Sequence, residues 1–272
     1  MGRACPENSA DRGAHMPNEL ASWPRPTFTP GGGNALLFYV VFGQFDLKTP
    51  LSRSKYRTSG MPDWLELVQC DRVKQPEVIA AYQSGAIWDV MKRDSPLTST
   101  EAEKAPEAVA LRAELTDPPT LDYFRDTTGV IAWLLDAGGV SVYDPQMLWL
   151  WDANEWREEA FEPGEANPDR HTTIMVSPEA GTTSWYHTRG MRKFGRPDLS
   201  IRGVGPKHAD AATVLLERFI ESQAFGAVIP EGQTIRMPNI PPGGVYHHRG
   251  DLNDPDFNNV HVAVEWPGNG LS

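Results

Sequence analysis

One apolar stretch constrains the fold more than any other part of this sequence. Residues 34–45, NALLFYVVFGQF, contain a run of eight apolar residues from Ala35 that no polar side chain interrupts. A strand exposed on one face alternates between apolar and polar residues, whereas a strand buried on both faces does not. The run is also far shorter than the roughly 20 residues needed to cross a bilayer. The sequence therefore predicts a central strand of a sheet and no membrane segment.

The rest of the chain mixes strand and helix patterns. Residues 107–144 read as strand, helix and strand, and residues 171–191 read as a hairpin that turns at Pro178–Gly181. A long amphipathic helix is expected near residues 207–226, where apolar residues recur with helical spacing. Together these patterns predict the α+β class, with a mixed, largely antiparallel sheet and packed helices.

Local signals also predict where several elements begin and end. A short helix is expected after Pro76, because proline is favoured in the first helical turn. We expect Asp117 to cap the helix that follows it and Gly138 to end that helix in a left-handed conformation. Asp152 and Glu155 have the spacing of a capping box. The C-terminal part is expected to form short strands, and GQTIRMP is the first of them.

The chain is expected to fold as one domain behind a flexible lead. Residues 1–33 are rich in proline and glycine without an apolar period, which predicts a flexible tail in which Met16 is an alternative start. The glycines at 31–33 precede a strand and lack a following GK[ST], so they do not predict a phosphate loop. Residues 34–272 then form a single domain, in which the polar stretch 95–106 is either a long loop or the seam between two halves.

Composition and charge exclude several classes of function. A net charge of −11 argues against a nucleic-acid binder and against an anionic membrane surface as partner. The two cysteines, Cys5 and Cys70, suggest neither a structural disulfide nor a metal site, which suits a reducing compartment. The first thirty residues contain no apolar segment typical of a signal peptide. We therefore expect a cytoplasmic protein; its oligomeric state has no signature in the sequence.

The most basic stretch, SWYHTRGMRKFGRPDLSIRGV from Ser184, is the first candidate site. Guanidinium groups bind phosphate or carboxylate, and a histidine acts as acid or base near neutral pH. The candidate ligand-binding residues are His187, Arg189, Arg192, Lys193 and Arg196. The alternative is a turn at Gly190 and one helical turn ended by Gly195, with the cations solvated or paired. That alternative is favoured, because no nucleophile or carboxylate lies nearby at a diagnostic spacing.

The C-terminal part holds a second candidate. Its aspartates at 251–256 resemble a calcium loop, but the glycine and distal glutamate of an EF-hand are missing. Asx turns explain the same residues without an ion. A three-histidine zinc site from His187, His247 and His261 is conceivable, yet no spacing supports it. No metal or cofactor is therefore predicted.

Two further features are expected to be structural. The aromatic stretch MLWLWDANEW is more typical of a packed helix start than of a ligand-stacking surface. Cys70 has no local partner that would activate a thiolate, so we expect a buried, inert thiol.

Two segments resemble an uncharacterised bacterial family known as a domain of unknown function. The segments are AWLLDAGGVSVYDPQMLWLWDANEW and WYHTRGMRKFGRPDLSI, and the resemblance covers roughly residues 107–226. It implies a soluble α+β domain and carries no activity or catalytic residue over to this chain.

Two functional hypotheses follow. The sequence contains no GxSxG, HExxH, Walker, GxGxxG or kinase motif, which favours a binding or interaction protein over an enzyme. Its acidity would suit the neutralisation of a basic protein partner. The alternative is an enzyme for a small anionic substrate, with His187 as acid–base and Arg189 and Arg192 as anion clamp. That alternative requires His187, a cation and a carboxylate to converge in one pocket.

Overall fold

The computed structural model describes residues 20–267 as two five-stranded sheets. The first sheet consists of β1 (Asn34–Gly43), β2 (Glu66–Asp71), β3 (Glu107–Thr116), β4 (Gly139–Asp144) and β5 (Trp149–Asp152). Its strand order is β2-β3-β1-β4-β5, and all neighbouring strands are antiparallel.

The second sheet follows the first along the chain. It consists of β6 (Thr173–Pro178), β7 (Ser184–Arg189), β8 (Asp198–Val204), β9 (Val245–Arg249) and β10 (His261–Glu265). Its order is β6-β7-β8-β10-β9, and the only parallel pair among the described strands is β8 with β10.

Seven α-helices connect and cover the sheets within the described residues. They are α1 (Arg53–Tyr56), α2 (Pro76–Tyr82), α3 (Gly85–Asp94), α4 (Pro96–Lys104), α5 (Asp122–Asp136), α6 (Ala153–Glu155) and α7 (Ala209–Ala224). A π-helical turn, Trp156–Phe161, continues α6, and 3₁₀ turns lie at Pro168–His171, Met191–Phe194 and Pro206–His208. The predicted α+β class is confirmed. Among residues 20–267, no helix has the length and hydrophobicity to span a bilayer.

Strand β1 lies in the middle of its sheet and is buried on both faces, as its unbroken apolar run predicts. Leu37 and Tyr39 pack into the larger core, which also contains α5, α7 and the second sheet. Val40 and Phe42 pack on the opposite face, against Trp88 of α3. Since side chains alternate along a strand, one strand thereby supplies two cores.

Several local predictions are confirmed. The hairpin of β6 and β7 turns between Pro178 and Ser184. Asp152 and Glu155 form the capping box at the start of α6. Gly138 follows α5 with a φ of 119°, the left-handed conformation that a glycine adopts without steric cost.

The segment 95–106 is neither a loop nor a seam. It forms helix α4, whose small residues Ser99 and Ala102 are buried against the sheet. Strands β2 and β3 lie on either side of it, and all of β2 pairs with residues 107–112 of β3. The two sheets are instead separated in sequence near residues 153–172, between β5 and β6.

The predicted flexible lead is only partly tested, because residues 1–19 lie outside the described residues. Residues 20–33 are packed, contrary to expectation. Trp23 is buried and exchanges backbone and side-chain hydrogen bonds with Leu121 and Asp122. The buried Arg25 donates to the carbonyl oxygens of Pro118, Phe194 and Ala224. This segment therefore binds both halves of the molecule together.

Asp117 does not cap α5. Helix α5 begins at Asp122, and Asp117 has a φ of 28°, which turns its carboxylate toward the N-terminal segment. There it accepts hydrogen bonds from the N–H groups of Gly31 and Gly32, at 3.0 Å each. The expected strand at GQTIRMP is also absent; the segment contributes a single bridge, Thr234 to Val245.

Candidate functional site

The two candidate segments of the sequence meet on one face of the second sheet. His187 on β7 lies opposite Ser200 on β8, and Trp185 donates its indole N–H to the Ser200 hydroxyl at 2.8 Å. His261 lies on the same face of β10, two residues before the strand partner of Ser200, Ala263. We call this side, defined by Trp185, His187, Ser200 and His261, the outer face.

Residues 250–260, the covering loop between β9 and β10, fold over this outer face. Phe257 is its buried centre: the ring stacks on His261 with a centroid distance of 4.3 Å. The same ring meets His187 edge-on at 5.6 Å, and His187 itself stacks on Trp185 at 3.9 Å. His187 is consequently only 3% exposed. His187, the predicted acid–base residue, is thus covered by the aromatic rings of Trp185 and Phe257.

Arg189 and Arg192 hold the covering loop in place. Arg189 Nη1 donates to the carbonyl oxygen of Asp256, and Arg192 Nη1 donates to that of Asn258 at 2.9 Å. Asn259 adds a bond from its Nδ2 to Asp198, at 2.8 Å. The two guanidinium groups proposed as an anion clamp therefore bind backbone carbonyls of this chain.

Lys193 and Arg196 lie inside the molecule, away from the outer face. The 3₁₀ turn Met191–Phe194, which contains Lys193, runs between two glycines of positive φ, Gly190 and Gly195, and Arg196 follows it. Lys193 pairs with Asp144 of β4, and neither side chain has any exposed surface. Arg196 pairs with Asp117 at 2.7 Å. The structure thus separates the five predicted cation and histidine positions into two groups, with no shared anion pocket.

Burial determines the electrostatics of the outer face. Burial, together with the smaller effect of the nearby Arg189 cation, lowers the pKa of His187 to about 4. Burial also raises the pKa of Asp198 to about 6, against the hydrogen bonds that Asn259 and Thr188 donate to it. His187 is therefore a neutral imidazole at neutral pH. Its Nδ1 has no hydrogen-bond partner within residues 20–267.

The described residues contain no cluster of three His, Cys, Asp or Glu side chains suited to a metal ion. His247 bonds Glu231 at 2.8 Å, and His261 Nδ1 lies 3.5 Å from Asp254 Oδ2. Within the covering loop, Asp251 and Asp254 each accept a bond from the N–H two residues further on. These Asx turns account for the aspartates that resemble a calcium loop.

Trp151 and Trp156 of the aromatic stretch are buried in the larger core, in edge contact at 5.6 Å. Cys70 is a buried free thiol on β2, and burial raises its pKa. Both positions match their structural interpretation.

An acidic surface was not singled out from the sequence. Residues 158–169, EEAFEPGEANPD, contain five carboxylates and no lysine or arginine. The structure places this segment beside α7, whose Glu217 and Glu221 act electrostatically on Asp169. Burial first, and then these two neighbours, raise the pKa of Asp169. We call Glu159, Asp169, Glu217 and Glu221 the acidic surface.

One cation contacts the acidic surface among the described residues: Arg170, which pairs with Glu159 at 2.7 Å. Glu217 and Glu221 are exposed and have no ion-pair partner in the part of the chain that the structure describes. The like-charge run in the sequence is the signal that could have identified half of this surface. The other half is joined to it only by the fold.

No protein-family model, curated protein or solved structure matches this chain.

Proposed function

We propose that this protein is a non-enzymatic binding protein whose acidic surface receives a basic region of a partner protein. The observation that carries the proposal is the juxtaposition of Asp169 with Glu217 and Glu221, whose charges raise the pKa of Asp169. Like charges held together destabilise the free protein, and a cationic partner would relieve that repulsion.

The placement of the cations supports the same conclusion. Lys193 and Arg196 are buried in ion pairs, and Arg25 is buried against carbonyl oxygens, so these positive charges are withdrawn from the surface. The two ion pairs are neutral, so the net charge of −11 is carried by the other residues of the chain. Long-range attraction of this kind accelerates the encounter with a cationic partner.

The cytoplasm is the proposed location. The free thiol of Cys70 supports it, since reduced cysteines are usual in that compartment.

The enzyme hypothesis receives less support from the geometry. His187 lies under Phe257, and the two arginines of the supposed clamp donate to the covering loop. A substrate anion would have to displace that loop before it reached either group.

The test removes two carboxylates from the acidic surface. We expect the Glu217→Gln/Glu221→Gln variant to bind a short poly-L-lysine peptide about tenfold more weakly than the unaltered protein. The same variant should unfold at a higher temperature, because Asp169 loses its two repulsive neighbours. Fluorescence anisotropy at low and physiological ionic strength measures the first effect, and thermal unfolding the second.

The matched control removes two carboxylates elsewhere. Glu66 on β2 and Glu101 on α4 are exposed, so Glu66→Gln/Glu101→Gln causes the same change in net charge. We expect this control to bind the peptide almost as well as the unaltered protein. Equal weakening by both variants would mean that net charge alone attracts the peptide, and the proposal would fail.

A further inference from the structure

A groove runs along the side of α7 that does not carry the acidic surface. It lies between α7 and the strap, residues 227–237, and has a volume of about 720 Å³. A second compartment of about 350 Å³ continues it toward the start of α7, and Arg218 and Met237 line both. Pockets that hold small organic molecules are typically about 300–1,000 Å³.

The strap is held by backbone hydrogen bonds that leave its side chains free to line the groove. Ile235 N donates to Gly244 O at 2.8 Å, and Tyr246 N donates to Gln233 O at 3.0 Å. Gly232 N donates in turn to Tyr246 O at 2.9 Å. These bonds satisfy backbone groups of the strap on the side that faces β9, so no ligand is needed to hold the strap in place beside the groove.

The floor of the groove is apolar and its edge is cationic. The floor residues are Leu215, Phe219, Ile229, Ile235, Met237 and Tyr246. Arg218 and Arg236 line the same groove with exposed side chains. Within residues 20–267 neither guanidinium has a hydrogen-bond or ion-pair partner, whereas Arg25, Arg125 and Arg196 are all engaged. The second compartment adds Lys207 and one carboxylate, Asp210.

We propose that this groove binds a small amphiphilic carboxylate, an apolar chain or ring that ends in one anionic group. Apolar lining removes the hydrocarbon part from water, with a gain that grows with the buried area. The planar guanidinium of Arg218 or Arg236 matches a carboxylate with two parallel N–H donors. A ligand with only one of these features would leave either the floor or the cations without a partner.

The groove of about 720 Å³ lies on a different stripe of α7 from Glu217 and Glu221, whereas Asp210 and Val214 of the second compartment lie on the same stripe as these glutamates. Successive residues of a helix are turned by about 100°, so Leu215, Phe219 and Ser222 form one stripe and Glu217 and Glu221 another. Loss of the groove would leave the proposed protein-binding surface intact. The two proposals can therefore fail separately.

Decanoate, decanol and decylamine test the site as probes of one chain length and three head groups. Calorimetric titration below their aggregation thresholds should show decanoate binding at least about tenfold more tightly than the other two, as a charge-assisted pair implies. We expect Arg218→Gln/Arg236→Gln to reduce the affinity for decanoate by about tenfold or more. Arg53→Gln, which removes an exposed arginine far from the groove, should leave it unchanged.

A steric variant tests the apolar part of the site. Ser222 is exposed at the groove, so Ser222→Trp fills the space while the thermal unfolding temperature reports that the fold is retained. We expect decanoate binding to be lost in this variant. Decanoate binding that survives in Ser222→Trp, or decanol binding as tightly as decanoate, would overturn the proposal.

Discussion

Lys193 and Asp144 form an ion pair that water does not reach. The pair joins the turn after β7 to strand β4, and Asp144 also accepts from the N–H groups of Gln146 and Met147. Burial lowers the pKa of Lys193 and raises that of Asp144, and their mutual attraction opposes both shifts. A buried pair of this kind specifies how two elements meet, because neither charge can be left in the interior without the opposite charge except at a large cost in free energy.

Removal of one partner should be far more harmful than removal of both. We expect Lys193→Met to lower the free energy of unfolding by about 3–5 kcal/mol, because Asp144 is left buried and unpaired. The double variant Lys193→Met/Asp144→Leu should lose clearly less of the free energy of unfolding than the single variant. Urea unfolding of the two variants measures the difference, and a double variant as unstable as the single one would contradict this account.

His187 makes stability depend on pH. Its pKa is about 4 in the folded protein, against about 6.5 in the unfolded chain, so the unfolded state binds more protons between these values. Stability is therefore present above about pH 6.5 and is lost as the pH falls toward 4.

We expect His187→Gln to lose this dependence. Asp198, with a pKa of about 6, changes stability in the opposite direction over part of the same window, so the informative quantity is the difference between variant and unaltered protein. Chemical unfolding at several pH values between 4 and 7 measures it. Parallel curves for the two proteins would show that His187 does not titrate in this range.

The residues of the candidate site were predictable only as far as local chemistry reaches. Gly190 and Gly195 mark the turn around Lys193 in the sequence itself. The partner of Lys193 is 49 residues away, and that of Arg196 is 79 residues away. No spacing rule connects such pairs, since the fold alone brings them together.

Among the elements, those with a strong apolar period were predicted well and those built from small residues were not. Strand β1 and helix α7 have patterns that leave few alternatives. Helix α4, PLTSTEAEK, has almost no apolar face; its close approach to the sheet depends on Ser99 and Ala102 being small. The hydropathy pattern of such a segment predicts a loop, because small polar residues are common in loops.

The contacts between Asp117 and the N-terminal segment can be tested by substitution. Asp117 accepts from Gly31 and Gly32 and pairs with Arg196, so Asp117→Ala should loosen the end of the N-terminal segment at Gly31 and Gly32. We expect faster amide hydrogen exchange at Gly31 and Gly32 and a loss of about 2–4 kcal/mol of stability, since Arg196 stays buried. Asp63→Ala, at an exposed site, is the control. Unchanged exchange at these glycines would show that other contacts suffice to hold the segment.

At the scale of the whole molecule, the two sheets share one core and one N-terminal segment, residues 20–33. The larger core draws residues from both sheets and from α5 and α7. The segment at 20–33 is bound to α5 through Trp23 and to the end of α7 through Arg25. The α+β class could be predicted from the patterns along the chain, whereas this arrangement could not, because it depends on contacts between distant segments.

The N-terminal segment, residues 20–33, has a consequence for the order in which the protein is made. Arg25 bonds the carbonyl of Ala224, a residue 199 positions later in the chain. At about 5–20 residues per second, a ribosome needs roughly 10–40 s to synthesise that interval. During that time Arg25 has no such partner, and the N-terminal segment is open to chaperones and proteases. The first residues of the described chain are thus among the last to reach their final places.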